Sequence, residues 1–303
     1  MGKLCIIVLL FASSWCTEEK KVNVPEIAAL KNLRQNQNSD GSWGNTNKVY
    51  CTSIAVLTFL CNGETPVSSL YGKSVKSAMQ YLIKDHGELS KDDLDVLMWA
   101  LSESFTMTGI SVIEDRIYEL FPTFLQSFDW DFENNPRLFF IQNEALRSSY
   151  SAGIEDDFFK TAFLKLEQIN SDESLALKSS KVQWGEEFEA NESFNKQLKK
   201  YSVDQSLSPL EDLMVGKILF QSHKHELVKK FKTKLELHDE FLSYKIDDRF
   251  TEGEKKLLRN SFPCFLFSYC FPARYLPSAR NNYTKNKSPL EEIYEEEGLD
   301  LVE

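Results

Sequence analysis

The chain has 303 residues, 42% apolar and 13% aromatic, with a formal net charge of −11. That length and apolar share allow a large core in one or two domains, and the scarcity of Gly and Pro excludes a collagenous or disordered chain. Lys and Arg form no cluster, which argues against a nucleic-acid partner.

The acidity is local. Residues 290–303 carry Glu291, Glu292, Glu295, Glu296, Glu297, Asp300 and Glu303 and no base, seven of the eleven excess negative charges. A block of like charges reads as a solvated end, so residues 281–303 are expected to be an acidic, disordered tail.

Residues 1–14 combine Lys3, an apolar run over 4–12 and the small residues Ala12 and Ser14. This is the pattern of a secretory signal cleaved after Ser14, since a membrane span needs about 20 apolar residues. The alternative is a lipoprotein signal acylated at Cys16, with Trp15 where a small residue is favoured. Either reading predicts an exported protein, periplasmic, secreted or lipid-anchored, in which disulfides are permitted.

Ile27, Leu30 and Leu33 form one apolar stripe at helical spacing, whereas residues 50–62 are apolar on nearly every side. A striped helix lies on a surface and an all-round apolar helix is surrounded by others, so the pair reads as outer then inner. Between them stand Gln37, Asp40, Gly41 and Trp43. Asp-Gly makes a tight turn, the indole suits the gap at a helix corner, and the Gln amide can bond the free groups of a helix end.

The alternation continues. Residues 69–84, with Val75, Met79 and Leu82, read as outer, and residues 92–108, with Leu94, Leu97, Met98, Leu101 and Phe105, as inner. Ile113, Ile117, Leu120, Phe121 and Phe124 mark the next outer helix, which ends in Gln126, Asp129 and Trp130, a worn copy of the first corner. Residues 137–153 and 155–169 follow as inner and outer helices. Residues 170–208 are polar and weakly periodic around an isolated Trp184, which predicts a long loop with one turn of helix. Residues 210–221 and 226–241 form another pair, and residues 252–275 hold the inner helix of the last.

The stretch from Gln37 to Gly44 resembles the repeat of the squalene and hopene cyclase and protein prenyltransferase superfamily, which ends in Gln, a few residues and Asp-Gly-Ser-Trp-Gly. The likeness is close over residues 27–84 and looser beyond, returning at Ala273, Arg274, Tyr275, Leu276 and Pro277. It implies an all-α fold, an α/α toroid of about five helical hairpins over residues 22–280; a stacked solenoid is the competing arrangement. In a ring the first and last hairpins are neighbours. Cys51 and Cys61 lie about 15 Å apart along one helix, too far to bond each other. A bridge from that pair to Cys264 or Cys270 would staple the closure, and buried thiols are the alternative.

The residues that carry the superfamily's chemistry are missing. The cyclase acid needs Asp-x-Asp-Asp, whereas residues 92–95, 155–157 and 247–248 have the wrong order, and Asp92, Asp93, Asp156 and Asp157 stand at predicted helix starts. The zinc site of the prenyltransferases needs Asp, Cys and His, and no Cys accompanies His86, His223, His225 or His238, so no metal or cofactor is expected. The thioester run of secreted toroids and a serine nucleophile elbow are also absent. Asn191, Asn282 and Asn286 are glycosylation sequons.

Asp95, Trp99 and Glu103 recur four apart on an inner helix, so one face presents carboxylate, indole, carboxylate. Asp95 and Glu103 are therefore the candidate catalytic acids, because buried carboxylates shift toward acid function. The competing role is to bond neighbouring helix ends and lock the ring. The sequence thus predicts an exported, non-catalytic toroid that binds or scaffolds a protein, a glycan or an apolar ligand. The alternative is a cyclase-type or prenyltransferase-like enzyme acting on an isoprenoid.

Overall fold

The computed structural model describes residues 24–169, 174–184, 192–204, 207–221, 225–237 and 246–270. Among the described residues are twelve helices and no strand: α1 (Val24–Gln35), α2 (Lys48–Cys61), α3 (Gly72–Leu82), α4 (Lys91–Thr108), α5 (Ser111–Ser127), α6 (Pro136–Ser151), α7 (Phe158–Gln168), α8 (Leu175–Gln183), α9 (Glu192–Tyr201), α10 (Pro209–Gln221), α11 (His225–Leu237) and α12 (Glu252–Cys270). The fold is all-α. The expected signal segment, Cys16, the 273–277 ending, the acidic tail, the three sequons, His223 and His238 all lie outside the described residues.

Burial follows the apolar pattern. Every residue of α2 from Val49 to Cys61 is buried, as are most of α4 and α6. In α3 the buried apolar positions are Val75, Ala78, Met79 and Leu82, and in α5 Ile113, Ile117, Phe121 and Phe124, single stripes at helical spacing. The even-numbered helices pack in sequence, α2 on α4, then α6, α8, α10 and α12, and α12 packs on α2. The odd-numbered helices rest on them: α1 on α2 and α12, α3 on α2 and α4, α5 on α4, α7 on α8, α9 on α10, and α11 on α10 and α12.

The first corner ties three helices together. Trp43 is fully buried, its indole Nε1 donates to Leu33 O at 2.8 Å, and its backbone N–H donates to Thr52 Oγ1 at 2.9 Å. The Gln37 amide donates to Gly41 O and Ser74 O, each at 2.9 Å, and so reaches α3. Asp40 accepts from Ser42 and pairs with Lys48 at 2.8 Å. Gly41 has φ +90°, and a Cβ there would stand 2.3 Å from Ser77 O, so both the turn and the approach of α3 require glycine.

The second corner works differently. Gln126 is exposed. The amide that spans the corner comes from Gln142 on α6: its Oε1 accepts from Asp129 N–H at 2.8 Å and its Nε2 donates to Ser127 O at 3.2 Å. Asp129 accepts from Asp131 N–H and pairs with Lys91 at 3.5 Å. Trp130 is half-buried, with Lys165 Nζ 4.3 Å from its ring centroid.

One expectation is corrected. Residues 170–208 hold two helices, α8 and α9, so the described residues form six helix pairs where five were expected. In α8, Lys178, Ser179, Ser180 and Lys181 interrupt the apolar pattern, yet both serines are buried alongside Ala176, Leu177 and Val182. Trp184 is also buried, its ring 5.8 Å from that of Tyr150. In α9 the fully buried residues are Phe194 and Leu198, packed with Val215, Ile218 and Phe231, and Tyr201 packs partly against the same cluster. Helices this short draw their stability from their partners, which sequence periodicity cannot register.

Cys51 is a buried thiol, and the side chains of Cys264 and Cys270, the other half of the expected staple, lie outside the described residues. The first and last helix pairs are joined by Glu254. Its Oε1 accepts from the backbone N–H groups of Asn45, Thr46 and Asn47 at 2.9, 2.8 and 2.9 Å, and its Oε2 accepts from Thr251 N–H at 2.9 Å. These are the free donors just before α2, so one carboxylate caps that helix from more than 200 residues away.

Candidate functional site

Asp95, Trp99 and Glu103 do share one face of α4, and that face is turned into the interior. Glu103 accepts from Ser148 Oγ at 2.7 Å and pairs with Arg147 Nη2 at 3.2 Å. Arg147 also lies 3.9 Å from Glu144, which is fully buried and bound to Lys217 of α10. Lys217 Nζ stands 5.9 Å from the Phe140 ring centroid. The result is a chain of alternating charges across α4, α6 and α10, with the Ser102 and Ser149 hydroxyls 2.8 Å apart beside it. Removing one member of such a pair costs about 3–5 kcal/mol because the partner stays buried and charged.

Asp95 is different. It is fully buried, and neither carboxyl oxygen completes a hydrogen bond among the described residues. The Gln142 amide is near enough to act on the carboxyl without closing a bond of good geometry. Burial pushes the Asp95 pKa up to about 8, against the smaller opposing effects of Gln142 and Lys91, so the side chain is protonated at neutral pH. A neutral carboxylic acid can donate a proton or a hydrogen bond, and Trp99, one turn away, is also fully buried.

A separate cleft of about 480 Å³ sits where α2, α4, α6, α10 and α12 begin, bounded by Tyr50 of α2, Asp92 of α4, Pro136, Arg137, Leu138 and Ile141 of α6, Leu210 of α10 and the run into α12. Ile141, Phe250 and Leu258 are its buried apolar wall, while Asn134, Arg137, Asp247 and Arg249 are exposed around it. Arg249 is fixed in place: it pairs with Asp92, and its guanidinium lies 5.1 and 4.7 Å from the Tyr50 and Phe250 ring centroids. Asp95, Trp99 and Glu103 do not line this cleft.

Comparisons with protein-family models, with curated proteins and with solved structures returned no match. The geometry of the chain itself therefore carries the functional argument.

Among the described residues no group of three His, Cys, Asp or Glu is placed to hold a metal ion, and no helix is long and apolar enough to cross a membrane. Asp92 and Asp93 occupy the first turn of α4, where Ser90 Oγ accepts from Asp93 N–H at 3.2 Å. Asp156 accepts from Phe158 N–H at 2.7 Å and Asp157 immediately precedes α7. His86 stacks on Tyr81, with centroids 4.7 Å apart, and burial lowers its pKa.

Sequence reasoning did not single out Gln142, Glu144, Arg147, Lys217, Arg249 or Glu254. One signal was present: Lys217 interrupts the apolar run Met214, Val215, Ile218, Leu219, and a lone cation on such a helix implies a buried partner.

Proposed function

We propose that this chain is an α/α toroid of six helix pairs, a divergent, exported relative of the cyclase and prenyltransferase superfamily that works as a non-catalytic binding module. The cyclic packing order of the even-numbered helices supports the toroid, and the corner built on Gln37, Asp40, Gly41 and Trp43 supports the kinship. The apolar run and small residues of positions 1–14 support export.

The observation that carries the binding reading is that the cleft described among these residues is not lined by the inward carboxylates. The inward carboxylates are either locked in the Glu103, Arg147, Glu144 and Lys217 chain or, as Asp95, sealed from solvent. The cleft, by contrast, combines an apolar wall with polar groups of both signs, the composition of a site for a small ligand or a short segment of a partner. An isoprenoid cyclase needs its acid to reach the substrate chamber.

The test is a Cys at Asn134 carrying an environment-sensitive dye, titrated with peptides, oligosaccharides and isoprenoids and assayed in parallel for turnover of squalene and prenyl diphosphates. Saturable binding of one class, abolished by Leu210→Arg, is the expected result. Turnover that disappears in Asp95→Asn or Glu103→Gln would overturn the reading in favour of the enzyme.

A further inference from the structure

The outer surface over α10 is basic. α9 and α11 both rest on α10, and their buried residues Phe194, Leu198 and Phe231 meet in one cluster with Val215 and Ile218. Away from that cluster stand Lys196, Lys199 and Lys200 of α9 and Lys229 and Lys230 of α11, all exposed. The acids on the same two stretches are Glu192 and Glu226, each in a first turn. In sequence these lysines are scattered over two segments, and the shared seat on α10 is what gathers them.

Their charge is not spent within the fold. Lys48, Lys91, Lys217 and Lys255 each stand against an acid. Among the described residues none of the five lysines of α9 and α11 is paired with a carboxylate. The opposite charge lies in the same chain, where residues 290–303 hold seven carboxylate side chains and no base.

We infer that the lysine face of α9 and α11 is a docking surface for the acidic segment 290–303 of the same chain.

The connection is long enough. α12 packs on α11 and ends at Cys270, and Leu290 stands twenty positions further on. Twenty residues reach up to about 66 Å, whereas the whole of α12 is about 29 Å long. Each exposed pair is weak alone, but a short tether holds the second charge block at an effective concentration in the millimolar range. Two blocks of opposite charge attract without a fixed geometry, so the contact is set by screening: the Debye length is about 8 Å at physiological salt and about 3 Å at 1 M.

Other cations compete poorly for this segment. At the cleft, Arg249 pairs with Asp92 and Arg137 lies 3.8 Å from Glu211, so each brings its own counter-charge. α3 exposes two lysines, Lys73 and Lys76, against five on the paired helices. With the segment docked, any other anionic molecule reaches the lysine face only by displacing it. The face shares no residue with the cleft, so failure of the docking leaves the binding reading of the cleft intact.

The experiment is zero-length carbodiimide cross-linking of the full chain, with an equal mixture of unlabelled and nitrogen-15-labelled protein, so that links within and between molecules differ in mass. The expected result is links within one molecule from Glu291, Glu292 and Glu295 to Lys196, Lys199, Lys200, Lys229 or Lys230 at low salt, falling at least about tenfold at 1 M salt. Lys199→Glu with Lys230→Glu should abolish them; both positions are exposed, and an unchanged thermal unfolding curve confirms the fold. Glu295→Gln, Glu296→Gln and Glu297→Gln together, which touch no described residue, should lower the yield from Glu291 and Glu292 several-fold at low salt. An absence of links to this face, links of mixed isotope that join two copies, links as frequent to Lys73 and Lys76, or links confined to Lys285 and Lys287 beside the segment would each overturn the docking.

Discussion

Replacing Asp95 by Asn should make the protein more stable, and by an amount that depends on pH. The folded chain keeps the Asp95 proton up to about pH 8, whereas the unfolded chain releases it near 3.8. A folded pKa raised above the unfolded one gives stability that is fully present below the unfolded value and is lost as pH rises toward the folded value. Between pH 4 and 8 the wild type therefore loses about 1.4 kcal/mol per pH unit through this one group, or about 4 kcal/mol by pH 7. Asn copies the shape of the neutral acid and cannot ionise. Urea unfolding of both proteins at pH 4.5, 6, 7 and 8 should show near-equal stability at the lowest pH and a widening advantage for Asp95→Asn above it. A difference that stays constant across this range, or an Asn variant less stable at pH 7, would refute the claim that the carboxyl is buried as a neutral acid.

Glu254 has the opposite dependence. Burial raises its pKa, but the N–H groups of Asn47, Thr251, Thr46 and Asn45 together outweigh this and bring it down to about 2. Its stabilisation is present above pH 4.5 and is lost as pH falls toward 2, so Glu254→Gln should cost about 3 kcal/mol at pH 7 and little at pH 2.5, read by thermal unfolding at each pH. Lys217→Met leaves Glu144 buried beside a vacated position and should cost about 3–5 kcal/mol, while Lys217→Met with Glu144→Leu should recover most of that loss in chemical denaturation. Trp43→Ala removes a fully buried side chain and the donor to Leu33 O and should cost about 3–5 kcal/mol, and an effect under 1 kcal/mol would show that the first corner tolerates an empty indole site.

Much of this architecture was legible in the residues. The contrast between the single stripe of α3 and the all-round burial of α2 follows from apolar spacing, and the corner at Trp43 follows from turn chemistry and the need of an indole N–H for a partner. The second corner was legible only in part. Asp129 and Trp130 were recognised, but the amide that completes the corner moved from Gln126 to Gln142, thirteen residues beyond Asp129 and on the next helix. α8 was missed because its serines are buried by neighbours whose proximity is a property of the fold. Glu254 was missed for a related reason: nothing local to residue 254 indicates that its acceptors will meet three donors at residues 45–47. Asp95 and Glu103 were recognised as inward carboxylates of equal standing. Their different fates depend on Arg147 and Ser148, which reach Glu103 and leave Asp95 alone.

The central claim is that the last helix pair returns to the first. The most direct measurement is cross-linking of the native monomer with a short amine-reactive reagent, followed by peptide mass spectrometry. Because Glu254 is bonded to Asn47, the neighbouring Lys48 should link within one molecule to Lys255 or Lys256. In an open stack the five spacings between the first and sixth helix pairs, at about 10 Å each, would hold those lysines roughly 50 Å apart. Links confined to successive helix pairs, with none between Lys48 and Lys255 or Lys256, would contradict the closed arrangement.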